Sequence, residues 1–588
     1  MADFSFQLQA DNLPIDVIDK LLIEGPWKPI MNRMLTAENI LLEGCRGVGK
    51  TMLMRAAAQK LKISYQGGEK IFGVHATFKR YLATLPPPSA IVDDSVDLAN
   101  FRAWINARIL SSVKESLKEI KGDDFLIGLG DLGKVDWQEV VAILETTYRG
   151  GSDVISLLTN SGIDRRTVVM LQGYTYTASL LKAAKEALEV DLLILFLDDA
   201  AHALDTRAQG AFFTTIKSLY DAGLAFKISV YPAVTRYGMD FSYGHDATVV
   251  SLGVAPKKEN VQSFRDLLQK RQQIADAEGK SLINALLQNS TWPELLYYCS
   301  NANPRALLKL VAQVQTQLNG RPPTEIRFED IRVAIATVID KHLDNMVPGV
   351  IKNLDPRLLK ASEYLLDELR LKISDKPGPY ESGKPRGYLA ITNSMQVPYL
   401  CQAAARLLVA ANVIIPEGPA RLSKRETGTL YLLHPGFIFR DNVISSFVRG
   451  TLSAADWLTF FDGTSSRIHA EITKSAELWT EITSEINNEP IGNCENGHPI
   501  RHSSSECEVC GAAAINLSPV KILLDKDIDV LDLSQAIKDR LRDKNFLTVR
   551  QLFEATDAEL DEVGYIGEVR ITLIRNAVSV AVDEFIAG

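Results

Sequence analysis

The chain lacks any apolar run long enough to cross a bilayer. A span needs about 18–20 residues, and the longest run near the middle, Leu192 to Leu197, has six. It also lacks an excess of positive charge: 64 Lys and Arg stand against 73 Asp and Glu, a net charge of −9. That balance excludes a protein that coats nucleic acid through bulk charge and confines any such contact to a local patch. The first residues, MADFSFQLQADNLP, carry acids where a secretory signal carries bases, and no long apolar core follows. Cysteine is scarce. There are six in 588 residues; three crowd between Cys494 and Cys510, while Cys45, Cys299 and Cys401 are scattered. These absences lead us to expect a cytoplasmic protein with no membrane partner, in which clustered cysteines serve a metal before a disulfide.

What is present describes globular domains. Hydrophobic residues make up 46% and charged residues 23%, and mean hydropathy is zero, as in ordinary folded chains. At 588 residues the chain exceeds one core, and about three to five domains are expected. In the first part, short apolar runs alternate with helical patterns. Asn39–Glu43, Lys70–Thr77, Leu192–Leu197 and Ala225–Tyr231 read as strands; Lys50–Leu61 and Thr177–Leu188 read as helices. Such alternation predicts a parallel sheet covered by helices. Residues 120–175 read as an insertion without assigned structure. From Asn260 to His342 the period is helical throughout. Past the break at Val347-Pro348-Gly349, helices at Arg357–Leu371 and Pro398–Ala411 precede two short strands, Asn412–Pro416 and Thr429–Leu433. A helical stretch is expected over 445–487, then the cysteine cluster, then a small helical unit.

Gly44-Cys45-Arg46-Gly47-Val48-Gly49-Lys50-Thr51 fits G-x-x-x-x-G-K-[ST] at every fixed position, between a strand and a helix. Glycines let the backbone turn its N–H groups toward phosphate oxygens, and the helix N-terminus adds a favourable dipole. Lys50 is expected to neutralise the β- and γ-phosphates of ATP, and the Thr51 hydroxyl to ligate Mg²⁺. A second magnesium anchor is expected where the buried run LLILFL meets Asp198 and Asp199. Asp198 suits the Mg²⁺ shell and Asp199 a general base that polarises water; the alternative is an acidic turn after a core strand. Asn303, Pro304 and Arg305 suit an N-cap, a first turn and a projecting cation. If that helix closes over the nucleotide, Arg305 reaches the γ-phosphate; otherwise it is a surface arginine on a capped helix. Thr235 and Arg236 read either as phosphate sensors or as ordinary loop residues.

The phosphate loop, the LFLDDA strand, the Asn-Pro-Arg helix start and the pattern after it together resemble an AAA+ ATPase. The resemblance is to the origin-recognition-complex branch, related to archaeal replication initiators and bacterial homologues, and covers residues 20–440. It implies ATP-gated engagement of DNA and assembly into homo-oligomers. Many such ATPases carry Glu where Asp199 stands, and the shorter acid implies slower hydrolysis.

Two helices followed by a two-stranded wing match a winged helix, in which one helix enters the major groove and the wing touches backbone. Residues 372–440 hold nine Lys and Arg against four Asp and Glu, a local +5, which supports phosphate contacts by Lys384, Arg386, Arg421, Lys424 and Arg425. Winged domains also serve as protein-interaction modules. Cys494-x₃-His498 and Cys507-x₂-Cys510 read as a structural Zn²⁺ site resembling a bacterial zinc ribbon, with four protein ligands and no open position. The last stretch resembles a helix-hairpin-helix domain similar to the C-terminal domain of the RNA polymerase α subunit, with Val563-Gly564-Tyr565-Ile566-Gly567 as its hairpin. Yet 538–588 holds seven basic and ten acidic residues, so DNA and a protein partner remain equal readings there.

The expected architecture is an α/β P-loop NTPase core (1–255), an α-helical lid (256–345), a winged helix (346–445), a helical linker (446–490), a zinc ribbon (491–515) and an all-α helix-hairpin-helix domain (516–588). The expected function is an ATPase that couples ATP binding and hydrolysis, with Mg²⁺, to DNA binding or oligomer assembly. Replication, mobile-element and anti-phage processes are all compatible with it. The rival is an ATP-bound signalling or scaffold switch that hydrolyses little and recruits a protein partner through its zinc and hairpin modules.

Overall fold

The computed structural model describes residues 13–78, 94–147, 164–199, 206–350, 356–375, 386–392, 399–421, 427–443, 452–472, 492–500 and 510–578, except 24, 221–222, 233–234, 236, 239, 243, 254, 464, 495, 497, 511–513, 516–522, 525, 532, 568–569, 572 and 576. The chain divides into two compact units. The first comprises Met1–Val254, Glu259–Asn284 and Asn303–Leu308; the second comprises Ala255–Lys258, Ala285–Ala302 and Lys309–Gly588.

At the centre of the first unit lies a five-stranded parallel sheet: β1 (Ile40–Glu43), β2 (Ile71–Thr77), β3 (Leu192–Asp198), β4 (Leu224–Val230) and β5 (Thr248–Ser251), in the order β2-β3-β4-β1-β5. Along β3, Ile194 and Phe196 join one buried cluster while Leu193, Leu195 and Leu197 join another. Successive side chains in a strand point to opposite faces, so an unbroken apolar run buries both. On one face pack α1 (Ile15–Leu21), α2 (Lys28–Met34) and α3 (Lys50–Gln66), through Ile18, Met34, Met54 and Leu61. Gly73 on β2 admits this approach, since a Cβ there would lie 2.9 Å from Leu61 Cδ1. On the other face packs α4 (Asp94–Lys121), through Phe101, Trp104 and Leu110.

The segment at 120–175 proves helical: Asp123–Ile127, Asp131–Lys134, Trp137–Thr147 and Arg165–Gln172, the last two packed on α4. Gly122 and Gly130, with φ of 82° and 57°, restart the chain between short helices, which hides the 3.6 period from the sequence. This sheet with helices on both faces fits an α/β NTPase core. To it belong α5 (Val261–Ile274), which packs on α1, and the first turn of α6 (Pro304–Leu318).

In the second unit, α7 (Phe328–Val350), α8 (Pro356–Asp375), α9 (Tyr399–Ala410), α10 (Pro435–Arg440) and α11 (Ala454–Gly463) accompany a four-stranded sheet. Its strands are β6 (Arg386–Thr392), β7 (Ile414–Arg421), β8 (Thr427–Leu433) and β9 (Ser465–Ile472), in the order β7-β8-β6-β9. The expected hairpin is present as β7 and β8, paired antiparallel. Two strands were not legible. β9 lies in a stretch expected to be helical and pairs parallel with β6, a tertiary pairing that overrides local preference. Near the end, Gln535–Asp543, Val549–Glu554 and Asp557–Asp561 are helices, the last two opened by capping boxes at Thr548 and Thr556. Among the described residues, no helix is long and apolar enough to cross a membrane.

Two histidines are enclosed where α7 meets α10. His434 Nδ1 accepts the Gly436 N–H at 3.0 Å, and the His342 ring lies 6.0 Å away with its Nε2 buried and lacking a hydrogen-bond partner. Burial pushes His342 down to about 4 and His434 to about 3. Both are neutral when folded, whereas an unfolded histidine takes up a proton below about 6.5. Stability from their burial is therefore present above about 6.5 and lost as pH falls toward about 4. Thermal midpoints at pH 7.5 and 5.0 should show a smaller acid-induced drop in His342→Phe than in wild type; an equal drop contradicts the assignment.

Candidate functional site

The loop after β1 turns at Gly47 and Gly49, whose φ values of +89° and +103° are left-handed, a conformation that glycine adopts without steric cost. Space is the second constraint. A Cβ on Gly47 would lie 2.7 Å from Asn303 Oδ1 and 2.7 Å from Arg305 Cβ. Asn303 caps α6, its Oδ1 accepting the N–H groups of Arg305 at 3.0 Å and Ala306 at 3.2 Å. Its Nδ2 donates to the Arg46 carbonyl at 2.8 Å, and the Arg305 N–H reaches the Gly47 carbonyl at 3.3 Å. The helix start that carries Arg305 is thus fastened to the glycine loop itself.

Lys50 opens α3 and is buried. Its Nζ donates to the Gly44 carbonyl and to the Cys45 carbonyl, the latter at 3.2 Å, and lies 3.8 Å from the centre of the Tyr231 ring. Burial pushes its pKa down to about 8. At the end of β3, Asp198 is fully buried. Its Oδ1 accepts the Asp199 N–H at 3.0 Å, whereas its Oδ2 has no hydrogen-bond partner and sits 3.6 Å from His75 Nε2. Burial alone would raise this carboxyl, but His75, with the Thr51 and Ser229 hydroxyls, holds it below the usual carboxylate value. A buried, ionised oxygen without a donor is what a divalent cation requires.

Asp199 adopts a left-handed φ of 56°, which Asp tolerates better than most residues. Its N–H donates to Ser229 Oγ at 2.7 Å, and its Oδ1 accepts the Tyr231 hydroxyl at 2.9 Å. Thr235 holds the turn after β4, its Oγ1 accepting the Tyr231 N–H at 2.9 Å; Arg236 lies outside the described residues.

The glycine loop, Lys50, Asp199, Tyr231 and Arg305 line a cavity of about 390 Å³ at the carboxyl edge of the sheet, where ligands bind in open α/β folds. Its charged lining, among the described residues, is Arg46, Lys50, Arg271 and Arg305 against Asp199. Its apolar lining includes Leu22, Trp27, Leu267 and Leu308. Burial pushes Arg271 down to about 10 and lowers Arg305. A polyanion bound here would relieve the cost of those desolvated cations. Trp27, Tyr231 and Arg271 were not singled out from the sequence, for each reads locally as an ordinary core or helix residue.

The cysteine cluster brings three groups together. Cys494 Sγ lies 3.7 Å from His498 Nδ1 and 3.7 Å from Cys510 Sγ, and the latter two are 3.3 Å apart. The edge of a tetrahedron with ~2.3 Å metal–sulfur bonds is about 3.8 Å, so the donor atoms stand at ligand spacing. The His498 N–H also donates to Cys494 Sγ at 3.3 Å. A small sheet in the order β11-β10-β12, from Gly492–Cys494 (β10), Pro499–Ile500 (β11) and Ala514–Ile515 (β12), frames the site. Cys507 lies outside the described residues.

Of the basic residues read as DNA contacts, Arg421 is exposed at the end of β7. Arg386 opens β6. Gly428 of β8 faces both Thr392 and Ala420, so Arg421 neighbours the far end of β6 from Arg386. The two are not brought together. Lys384, Lys424 and Arg425 lie outside the described residues.

No protein-family model matches the chain, and no curated protein matches it. Among solved structures, it is similar to the Aeropyrum pernix ORC1 protein in complex with DNA, at 11% identity and a TM-score of 0.31, over 75% of this chain and 96% of that one.

Proposed function

We propose that the chain is an AAA+ P-loop ATPase in which ATP binding and hydrolysis in the first unit govern DNA engagement by the basic wing of the second. One observation carries the proposal. At the carboxyl edge of a parallel sheet, buried Lys50 lines a cavity whose charged lining, among the described residues, is four cations and the carboxylate of Asp199, the neighbour of buried Asp198, whose Oδ2 has no hydrogen-bond donor. In this reading the N–H groups of the loop Gly44–Thr51, with Cys45, Arg46 and Val48 between its glycines, cradle the phosphates. Lys50 binds the β- and γ-oxygens, and Arg305, fixed by its bonded helix start, meets the γ-phosphate. Thr51 and Asp198 would hold Mg²⁺, which neutralises charge on the transferred phosphoryl group. Asp199 accepts a proton from the attacking water.

In the second unit, Arg421 at the end of β7, Lys424 and Arg425 of the basic segment that follows it in sequence, and Lys384 and Arg386 would contact the DNA backbone. Zn²⁺ would be held by Cys494, His498, Cys507 and Cys510, the three described donors already standing at ligand spacing. The acidic hairpin domain suits a protein partner as well as DNA, and assembly into homo-oligomers follows from the AAA+ reading.

Steady-state ATPase activity with and without duplex DNA, beside Lys50→Ala, tests the proposal. DNA should raise turnover, Lys50→Ala should be inactive, and Lys424→Glu/Arg425→Glu should lose salt-sensitive DNA binding; DNA affinity unchanged in the double variant refutes the wing. Elemental analysis should find one zinc per chain, reduced in Cys494→Ser, and a folded metal-free wild type would exclude the ribbon.

A further inference from the structure

The carboxyl ends of β2 and β3 hold three buried polar atoms that have no hydrogen-bond partner: His75 Nε2, Thr77 Oγ1 and Asp198 Oδ2. Backbone register brings them together. Thr77 pairs with Asp198 and His75 with Phe196, and paired residues on adjoining strands point to one face. Phe196 belongs to the cluster that packs against α3, so all three polar side chains lie on the face that α3 covers. The strand ends are tied down. The Phe78 N–H donates to the Asp198 carbonyl at 3.0 Å, the Phe78 ring meets Trp104 edge-on at 5.6 Å, and Arg108 Nε donates to the Thr77 carbonyl at 2.8 Å.

Asp198 is fully buried, and its Oδ2 stands 3.6 Å from His75 Nε2. That separation is too long for a hydrogen bond and close to that of two ligands on one ion. Donors ~2.1 Å from a shared cation stand about 3.0 Å apart in octahedral and about 3.4 Å apart in tetrahedral geometry. A small rotation of the imidazole closes the difference. Buried polar atoms left unpaired are costly, and a cluster of them around a carboxylate points to a cation as the shared partner.

We propose that His75 is a direct ligand of the cation at Asp198, which makes the site select a first-row transition ion such as Mn²⁺ over Mg²⁺. The inference rests on the nucleotide reading above only in taking this cation to be the one at Thr51 and Asp198; the clustered donors stand without it. Mg²⁺ takes oxygen donors and gives up its waters reluctantly, whereas imidazole suits transition ions. A phosphate loop and an acidic strand supply oxygen alone. The histidine on β2 adds nitrogen, and the Thr77 hydroxyl beside it is a partner for a water bound to the ion.

The test titrates Mn²⁺ and Mg²⁺ into the zinc-loaded full chain, with and without a non-hydrolysable ATP analogue. Pulsed electron paramagnetic resonance of the bound Mn²⁺ reads whether a ring nitrogen is coordinated. Mn²⁺ should bind more tightly than Mg²⁺ and show a nitrogen coupling that His75→Gln and Asp198→Asn both remove. His75→Gln should weaken Mn²⁺ roughly tenfold, the cost of losing even an outer-shell partner, while leaving Mg²⁺ affinity unchanged. A wild-type chain without the coupling overturns the inference, and that result needs no variant to fold. So does a His75→Gln chain that loses both ions in step, since that marks a histidine that merely orients Asp198. Binding of the analogue with Mg²⁺ but no nitrogen coupling removes this inference and keeps the nucleotide reading. The coupling without binding of the analogue does the reverse.

Discussion

The fastening of the Asn303–Arg305 helix start to the carbonyls of Arg46 and Gly47 is the constraint from which the first site follows. Because Asn303 spends its carboxamide oxygen on the helix and its nitrogen on the loop, one side chain sets both the cap and the distance between the two segments. That distance leaves no room for a Cβ at Gly47. It also holds Arg305, Arg46 and Lys50 around one cavity, an arrangement that mutual repulsion and desolvation oppose. Lys50, pushed down to about 8, and Arg271, pushed down to about 10, record that opposition. A bound polyanion would relieve it.

The sheet supplies the acidic half of the site by a different route. β3 is apolar over six positions and buried on both faces, so its first polar residues emerge where the strand leaves the core. Asp198 stays buried with one oxygen lacking a donor, and Asp199 turns through a left-handed φ into the cavity. β4 then links the acidic strand to the glycine loop through Tyr231. The arrangement therefore depends on strand order as much as on motif. If β1 and β3 were neighbours, no intervening strand end could bridge Asp199 and Lys50.

Much of this was legible before the structure. The glycine loop, the buried run ahead of Asp198 and the Asn-Pro start of α6 are local patterns, and each fixes a backbone geometry with few alternatives. The four parallel strands named from the sequence lie within a residue or two of their observed ends, because an apolar run in a doubly covered sheet stops where burial stops. Contacts made by long-range pairing were hidden. Tyr231 reads as the end of a strand, and nothing in its neighbours reveals that β4 lies between β1 and β3. Likewise, β9 has no periodicity that separates it from a helix; its pairing with β6 is what defines it. The helices between 120 and 175 were obscured by their glycines. Arg386 and Arg421 were grouped by charge and chain proximity, whereas strand direction separates them.

The second unit carries its own markers, a cysteine–histidine cluster at tetrahedral spacing and a hairpin whose loop is basic in sequence. Their value depends on the first unit responding to a nucleotide, so the most direct measurement is an equilibrium titration of Mg·ATP into the full chain and into Lys50→Ala at matched ionic strength. Saturable binding of one ATP per chain, lost in the variant, is the expected result. A wild-type chain that binds no ATP, or a variant that binds it equally well, would contradict the site.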